Sequence, residues 1–155
     1  TRVMVLAALP ETVPPTAPKV RIQALGLEAF AQRVGGLRGS PLAQRQAHAQ
    51  RLASSPVPFF AYELRVDGEP LACAQFAIEG DLAGLYDVYT ASAARGRGLA
   101  ATLCRHLLAQ ARSRGARHAY LQVEADNPAA RSVYHRLGFV DGYAYHYRAF
   151  DPAAA

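Results

Sequence analysis

Apolar residues recur along the chain with two different periods, and the change of period separates strands from helices. Val20, Ile22 and Ala24 alternate with Arg21 and Gln23, which predicts a strand. Predicted strands cover residues 2–9, 20–24, 59–66, 70–78, 82–90, 117–124 and 143–150, and predicted helices cover residues 26–37, 41–53, 97–114 and 128–137. These elements follow one another closely, as expected for a packed domain.

The turns between the strands predict how the strands pair. Asp67-Gly68 and Gly80-Asp81 are hairpin signals, so the three strands between residues 59 and 90 form an antiparallel meander. The following strand, helix and strand, residues 82–124, predict a right-handed unit with parallel strands. The fold class is therefore α+β or mixed α/β, built around one twisted sheet.

Short polar and glycine signals mark the ends of the first two helices. Residues 35–36 are two glycines and are predicted to close the first helix. Ser40 is the predicted N-cap of the second helix. Arg45, His48 and Arg51 are predicted to form the polar outer face of that helix.

The N-terminal region differs in composition from the rest of the chain. Residues 11–18 contain three prolines and no large apolar group except Val13, as in a linker. We assign residues 1–18 to an N-terminal strand and Pro-rich linker, which is interpreted as the remnant of a preceding domain because no methionine precedes Thr1. Residues 19–155 form the main domain. The apolar strand at residues 2–9 is expected to pair with the sheet or with a second copy in a homodimer.

Charge and cysteine content narrow the partners only slightly. The formal net charge is +5, which attracts anions such as nucleic acid, anionic lipid or a phosphorylated cofactor without choosing among them. Cys73 and Cys104 fall in apolar segments and are predicted to be small buried groups, with no disulfide and no metal site. That usage fits a reducing compartment, and we expect a cytoplasmic protein that does not span a membrane.

A glycine- and arginine-rich segment joins a predicted strand to the longest predicted helix. It consists of Arg95, Gly96, Arg97, Gly98, Leu99 and Ala100. The first turn of a helix has unpaired N–H groups, and glycines let a phosphate approach them closely. The segment is therefore a candidate diphosphate loop, and the alternative is a surface turn that uses glycine for its dihedral angles.

A dinucleotide-binding fingerprint is a second interpretation of the same loop. Gly96 to Ala101 also satisfy G-x-G-x-x-A, and Glu124 would be the acid for a ribose. Five residues separate Thr90 from Gly96, whereas the turn of a Rossmann unit is tighter, and the preceding strands are antiparallel. These features disfavour that interpretation.

A second motif lies about thirty residues farther along. Asn127, Ala130, Tyr134, Gly138 and Phe139 match N-x-x-A-x-x-x-Y-x-x-x-G-F, and the loop matches R/Q-x-x-G-x-G/A. The two motifs, in this order and spacing, resemble the GNAT acetyltransferase superfamily, most strongly over residues 82–150. The resemblance implies a GNAT-like twisted mixed sheet of about six to seven strands, flanked by about four helices, with an extra N-terminal strand.

The resemblance also implies an activity: residues 19–155 would form an N-acetyltransferase domain. Acetyl-CoA would be the co-substrate, and a primary amine of a small molecule or peptide would attack it directly in a ternary complex. The backbone of Val88, Tyr89 and Thr90 would hold the pantetheine arm and polarise the thioester, between two strands that part. Asn127 would bind the pantetheine, and Tyr134 would act as general acid on the leaving thiolate.

The general base stays open. Some superfamily members use a glutamate on the fourth strand, where this chain has Gly84 and Tyr86. Strand alternation predicts that Asp87 faces the other side of the sheet. Remaining candidates are Glu124, Gln122, Glu79 and His146, and deprotonation through water or by the substrate is an equal alternative.

Two further classes of function remain as alternatives. A non-catalytic acyl-CoA-binding domain, or the inactive half of a tandem acetyltransferase, would fit the missing glutamate. Nucleic-acid binding would rest on net charge alone, so no nucleic-acid partner is expected. The remaining polar and aromatic groups are assigned ordinary roles: His48, His106 and His118 as solvated surface groups, and Tyr143, Tyr145 and Tyr147 as core or interface residues.

Overall fold

The computed structural model describes residues 1–11 and 16–144, with side chains described as far as residue 142. The strands are β1 Arg2–Leu6, β2 Val20–Leu25, β3 Phe59–Val66, β4 Glu69–Glu79, β5 Leu82–Thr90, β6 His118–Val123 and β7 Val140–Ala144. The helices are α1 Leu27–Arg38, α2 Leu42–Ala53, α3 Leu99–Ser113 and α4 Pro128–Arg136, and a 3₁₀ turn covers Ser92–Ala94. The predicted tyrosine-rich end of the last strand, including Tyr145 and Tyr147, lies outside the described residues.

The seven strands form one mixed sheet in the order β2-β3-β4-β5-β6-β1-β7. Among these strands β5 and β6 form the parallel pair, and the other neighbours are antiparallel. The predicted mixed sheet is confirmed. In a Rossmann unit the strand before the glycine loop lies between parallel strands, whereas β5 is antiparallel to β4, and this disfavours the dinucleotide interpretation of residues 96–101.

The N-terminal strand is an internal strand of this sheet. Arg2 pairs with Val123 of β6 on one side, and Val5 pairs with Val140 of β7 on the other. The expectation that this strand pairs with the sheet is confirmed. The division of the chain at residue 18 stays a prediction.

Each face of the sheet has its own apolar core. Tyr62, Phe76 and Leu85 face the larger core, which α3 covers with Leu103 and Leu107. Burying a leucine side chain stabilises a fold by about 2 kcal/mol, so the apolar stripe of α3 contributes several times that amount. A smaller core on the opposite face contains Phe30, Val34, Leu52, Ala61 and Cys73, from α1, α2 and the sheet.

Both cysteines are buried packing groups, as predicted. Cys73 belongs to the smaller core and Cys104 to the larger one. Burial raises the pKa of each thiol to about 12, because a thiolate is poorly solvated there. Each side chain therefore packs as a neutral group.

The ends of α1 and α2 differ from the prediction. The glycines at 35–36 do not close α1, which continues to Arg38 and ends at Gly39 in the left-handed conformation, φ 73°. Helix α2 begins at Leu42 with Pro41 as N-cap, and the Ser40 side chain makes no capping bond. Gly35 has a packing role instead: a Cβ at this position would overlap the side chain of Arg45.

A buried carboxylate on β3 ties α1 to β2 and β3. Glu63 is fully buried and accepts hydrogen bonds from Arg65 Nε and Gln23 Nε2, both at 2.6 Å. Arg33 Nε lies 2.8 Å from its other oxygen. Burial raises the pKa of Glu63, but the hydrogen bonds from Arg65 and Gln23 and the charge of Arg33 outweigh it and leave the pKa below its usual value.

Glu63→Gln should therefore destabilise the protein in a pH-dependent way. A folded-state pKa below the unfolded value stabilises the fold above about pH 4.3, and this contribution is lost as pH falls through the folded pKa. We expect a loss of about 2 kcal/mol near pH 7 by urea unfolding, shrinking in acid. Glu69→Gln, at an exposed strand end, is the control and should have little effect. An equal loss of stability at pH 7 and in acid would contradict the lowered pKa of Glu63.

Candidate functional site

Strands β5 and β6 part halfway along their length. Their pairing runs from Leu82 opposite His118 to Leu85 opposite Leu121 and stops there, although β5 continues to Thr90. From Tyr86 onward, the side of β5 that faced β6 therefore has no strand partner within the described residues. The parting that the resemblance implied is present.

A β-bulge in β5 lies where the two strands part. On the β4 side, the register shifts between Cys73, which pairs with Tyr89, and Gln75, which pairs with Tyr86. One extra residue of β5 is accommodated in this interval, and Asp87 there has φ 55°. A bulge increases local twist and redirects side chains, which accounts for the divergence of β5 from β6.

The parted strands enclose a cavity of about 410 Å³. Val88 lines it from β5, Gln122 and Glu124 from the end of β6, and Asn127 and Tyr134 from α4 and its cap. Three of the predicted site residues, Val88, Asn127 and Tyr134, thus share one cavity. Tyr89, Thr90 and the 95–100 loop lie outside its lining.

The glycine-arginine loop follows the end of β5 directly. Arg95 Nε donates to the carbonyl of Thr90 at 3.2 Å, and its guanidinium lies 5.2 Å from the centre of the Tyr89 ring. Gly96 and Gly98 have φ values of 81° and 76°, conformations that other residues adopt at a cost. Both face open space, since a Cβ at either position would meet no atom within 4 Å.

Helix α3 begins at Leu99, two residues later than predicted, with Gly98 as N-cap. No side chain caps it, so the N–H groups of its first turn are available to an external acceptor. Arg97 is exposed beside them. The loop fits an anion such as a diphosphate, because it combines open amides, the positive end of the helix dipole and two exposed arginines.

Tyr134 is a buried phenol at the wall of the cavity. Its side chain is 8% exposed, and its ring meets Phe139 edge to face with centroids 6.0 Å apart. Burial raises the pKa of Tyr134 above its ordinary value, so the hydroxyl is protonated at neutral pH. Tyr134 thus lies beside the parted strands, and its role as general acid stays a prediction.

Asn127 is the first residue of the α4 cap and also lines the cavity. Its Oδ1 accepts a hydrogen bond from the Ala130 N–H at 3.2 Å, which makes it the N-cap. Its NH₂ group makes no hydrogen bond within the described residues and lies at the cavity. It is available to donate to a bound molecule.

Asp87 faces the opposite way from the prediction. Its Oδ2 accepts from Gln75 Nε2 at 2.7 Å and lies 3.3 Å from His48 Nε2. Two nitrogens of Arg38 lie 3.4 Å from its Oδ1. The carboxylate therefore lies on the α1–α2 side, together with Tyr86, because the bulge interrupts strand alternation.

The candidate bases occupy different places. Glu124 and Gln122 line the cavity, and Glu124, 68% exposed, accepts a hydrogen bond from the Thr1 hydroxyl at 3.1 Å. Glu79, beside the turn that begins β5, does not line it. His146 lies outside the described residues.

Tyrosines fill the position where the resemblance leads one to expect a glutamate. The hydroxyls of Tyr86 and Tyr120 are hydrogen-bonded, and a Cβ at Gly84 would overlap both rings. Burial and the hydrogen bond with Tyr86 raise the pKa of Tyr120. The Tyr120 hydroxyl is therefore neutral at ordinary pH.

The predicted surface histidines differ in environment. His48 is only 16% exposed, and His106 packs edge-on against Tyr62 at 5.3 Å, where burial lowers its pKa. The prediction of a solvated group is therefore wrong for both. His118 is about half exposed, as predicted.

The polar residues of α2 that were predicted to face solvent instead face α1. Arg45, His48 and Arg51 line a second, smaller cavity between α1 and α2. The sequence pattern of α2 could not reveal this, because only the position of α1 decides which polar face is covered.

The Acetyltransferase (GNAT) family matches residues 28–139 of this chain. The chain belongs to the GNAT family. A mycothiol acetyltransferase of Corynebacterium glutamicum (strain R) is 48% identical over 59 residues, which are 38% of this chain and 20% of that protein.

Solved GNAT structures share the fold. A putative GNAT acetyltransferase from Novosphingobium aromaticivorans DSM 12444 is 29% identical, with a TM-score of 0.68, over 92% of this chain and 60% of that one. The aminoglycoside N-acetyltransferase AAC(6′)-Iy, in complex with CoA, is 18% identical with a TM-score of 0.67, over 86% and 95% of the two chains. The GNAT chain thus spans three fifths of the Novosphingobium protein and one fifth of the Corynebacterium one.

The described residues contain neither a helix that could span a membrane nor a cluster of metal-ligating side chains. None of the helices among them is long and apolar enough to cross a bilayer. Within the same residues, no three histidine, cysteine or acidic side chains come together where a metal ion could bind.

The left-handed backbone of the candidate diphosphate loop has a measurable cost for residues other than glycine. Gly98→Ala should destabilise the protein by about 1 kcal/mol, because a Cβ disfavours φ 76°. The matched substitution Gly36→Ala, inside α1, should stabilise it by about 0.5–1 kcal/mol. Urea unfolding of both variants tests the assignment, and a neutral or stabilising Gly98→Ala would contradict it.

Proposed function

We propose that this chain transfers an acetyl group from acetyl-CoA to a primary amine by direct attack in a ternary complex. The parting of β5 and β6 at the Asp87 bulge carries the proposal. It leaves an unpaired strand edge and a cavity next to the anion-binding loop. A long cofactor with a diphosphate at one end and a thioester at the other fits that arrangement.

The cofactor would be bound at three points. Its diphosphate would accept hydrogen bonds from the amides of residues 96–101, with Arg95 and Arg97 neutralising charge. The pantetheine would lie along the backbone of residues 88–90, as an added partner for the open edge of β5. Asn127 would donate its NH₂ group to a pantetheine carbonyl. The CoA complex of AAC(6′)-Iy supports this choice of cofactor.

The reaction requires three contributions from the site: stabilisation of the oxyanion, a base for the amine and an acid for the sulfur. The nitrogen of a neutral amine attacks the thioester carbon and forms a C–N bond, and the C–S bond then breaks. N–H groups of residues 88–90 would stabilise the oxyanion. The ammonium proton leaves to a base, and a water molecule beside Glu124 would be a route that needs no buried base. The sulfur receives a proton from Tyr134, and the phenolate regains a proton from solvent when CoA leaves.

The raised pKa of Tyr134 is compatible with this role. Burial disfavours any anion, so it raises the pKa of the leaving thiol as well as that of the phenol. The difference between donor and acceptor is therefore smaller than the phenol pKa alone indicates. Tyr134 would donate a hydrogen bond to the sulfur throughout the step and transfer the proton as charge accumulates.

A non-catalytic acyl-CoA-binding domain, or the inactive half of a tandem protein, is the second candidate. It is favoured by the tyrosine pair at the fourth-strand position, which supplies no carboxylate base. The two candidates agree on cofactor binding and differ only in turnover.

Acetyl-CoA should raise the melting temperature, whereas NAD and a short DNA duplex should not. At a hundredfold excess over its dissociation constant, a specific ligand stabilises the fold by about 2.7 kcal/mol. Arg97→Gln should weaken the effect. Arg117→Gln should leave it unchanged, because Arg117 lies beyond the C-terminal end of α3, just before β6. Equal shifts with acetyl-CoA and NAD would contradict the cofactor assignment.

Tyr134→Phe should lower turnover about a hundredfold and leave acetyl-CoA affinity within about threefold. The measurement is CoA release with a panel of amines, together with a binding titration. Tyr62→Phe, which removes a hydroxyl from another mostly buried tyrosine, is the control. Unchanged turnover in Tyr134→Phe would exclude the phenol as acid. Tight binding without turnover in the unmodified protein would favour the non-catalytic candidate.

A further inference from the structure

The geometry points to an acceptor that carries an anionic group, a carboxylate or a phosphate, besides its amine. We propose that this group binds in the small cavity between α1 and α2, on the guanidinium groups of Arg45 and Arg51. The inference rests on the proposed acetyl transfer and adds to it the class of acceptor.

The small cavity adjoins the one between the parted strands. Its volume is about 140 Å³, room for about five water molecules at liquid density and hence for a compact charged group. Arg38 and Asp87 line both cavities. A molecule of modest length can therefore reach from the small cavity to the thioester position.

The charges around the small cavity do not balance. Three arginines, Arg38, Arg45 and Arg51, line it together with a single carboxylate, Asp87. Asp87 already has Gln75, His48 and Arg38 within 3.4 Å. Arg45 and Arg51 have no carboxylate partner in the described part of the chain. An anionic ligand would supply the missing charge.

Arg45 is held in place as a ligand-binding guanidinium would be. Its aliphatic stem crosses α1 where Gly35 lacks a Cβ. Its Nε donates to the carbonyl of Ser40 at 2.8 Å. The two terminal nitrogens make no hydrogen bond within the described residues. A fixed fork with two open donors matches two oxygens of one carboxylate or phosphate.

The position of Asp87 shows where an acceptor would pass from one cavity to the other. It lies at the boundary of the two cavities, on the bulge that separates β5 from β6. With its anionic group bound by Arg45, a substrate would extend along this boundary, past Asp87, toward the parted strands. The amine would then lie on the thioester side.

Isothermal titration with coenzyme A in excess tests the proposal, because the coenzyme fills the phosphate loop and leaves the small cavity open. The probes are O-phosphoethanolamine against ethanolamine, and 4-aminobutyrate against butylamine. At least one anionic probe should bind tenfold or more tightly than its neutral partner. The stronger of the two identifies phosphate or carboxylate as the preferred group.

Variants locate the bound anion. Arg45→Gln should reduce affinity for the preferred anionic probe about tenfold, as expected for loss of a charged hydrogen-bond donor. The exposed Arg51→Gln should reduce it in the same direction without risk to the fold, and Arg117→Gln should not change it. Equal binding of neutral and anionic probes, no binding of either anionic probe, or full affinity in both variants would overturn the proposal.

Failure of the acetyl-transfer proposal gives a different result. In that case coenzyme A would not bind, or no amine would release CoA from acetyl-CoA, whatever the titration of the small cavity shows. Turnover with neutral and anionic amines at equal kcat/KM would contradict the acceptor class alone.

Discussion

The site depends on one constraint, the loss of pairing between β5 and β6 after Leu85. Backbone N–H and C=O groups that leave a sheet need other partners. The bulge at Asp87 creates such an unpaired edge next to a cavity and just before the glycine-arginine loop. Fold and site are therefore linked: the same backbone irregularity that ends the parallel pair makes room for a ligand between two strands.

The helices on the two faces of the sheet form different parts of the site. Helix α3 packs on one face with its leucines and presents its N-terminal amides at the end of β5. Helices α1 and α2 pack on the other face and surround a cavity rich in arginine. The Tyr89 ring contacts both parts: the Arg95 guanidinium of the glycine-arginine loop lies 5.2 Å from its centre, and the Arg38 guanidinium of α1 lies 5.3 Å from it. Cofactor and acceptor would thus approach from different elements and meet at the bulge.

Features with a local sequence cause were predictable, and features set by a distant neighbour were not. The period of β5 and the two motifs gave the strand bounds and the positions of Gly98, Asn127 and Tyr134. The direction of Asp87 was missed because a bulge breaks alternation without a local signal. The inward face of α2 was missed because it depends on Gly35 in another helix. The place of β1 inside the sheet was likewise undetermined, since an apolar strand carries no mark of its neighbours.

The central claim is that the open edge of β5 binds the cofactor's pantetheine arm. Amide hydrogen exchange, followed residue by residue by NMR with and without acetyl-CoA, tests it most directly. The account predicts slower exchange on binding for amides within residues 88–90 and 96–101. Protection confined to other elements, with these amides unchanged at saturating acetyl-CoA, would contradict it.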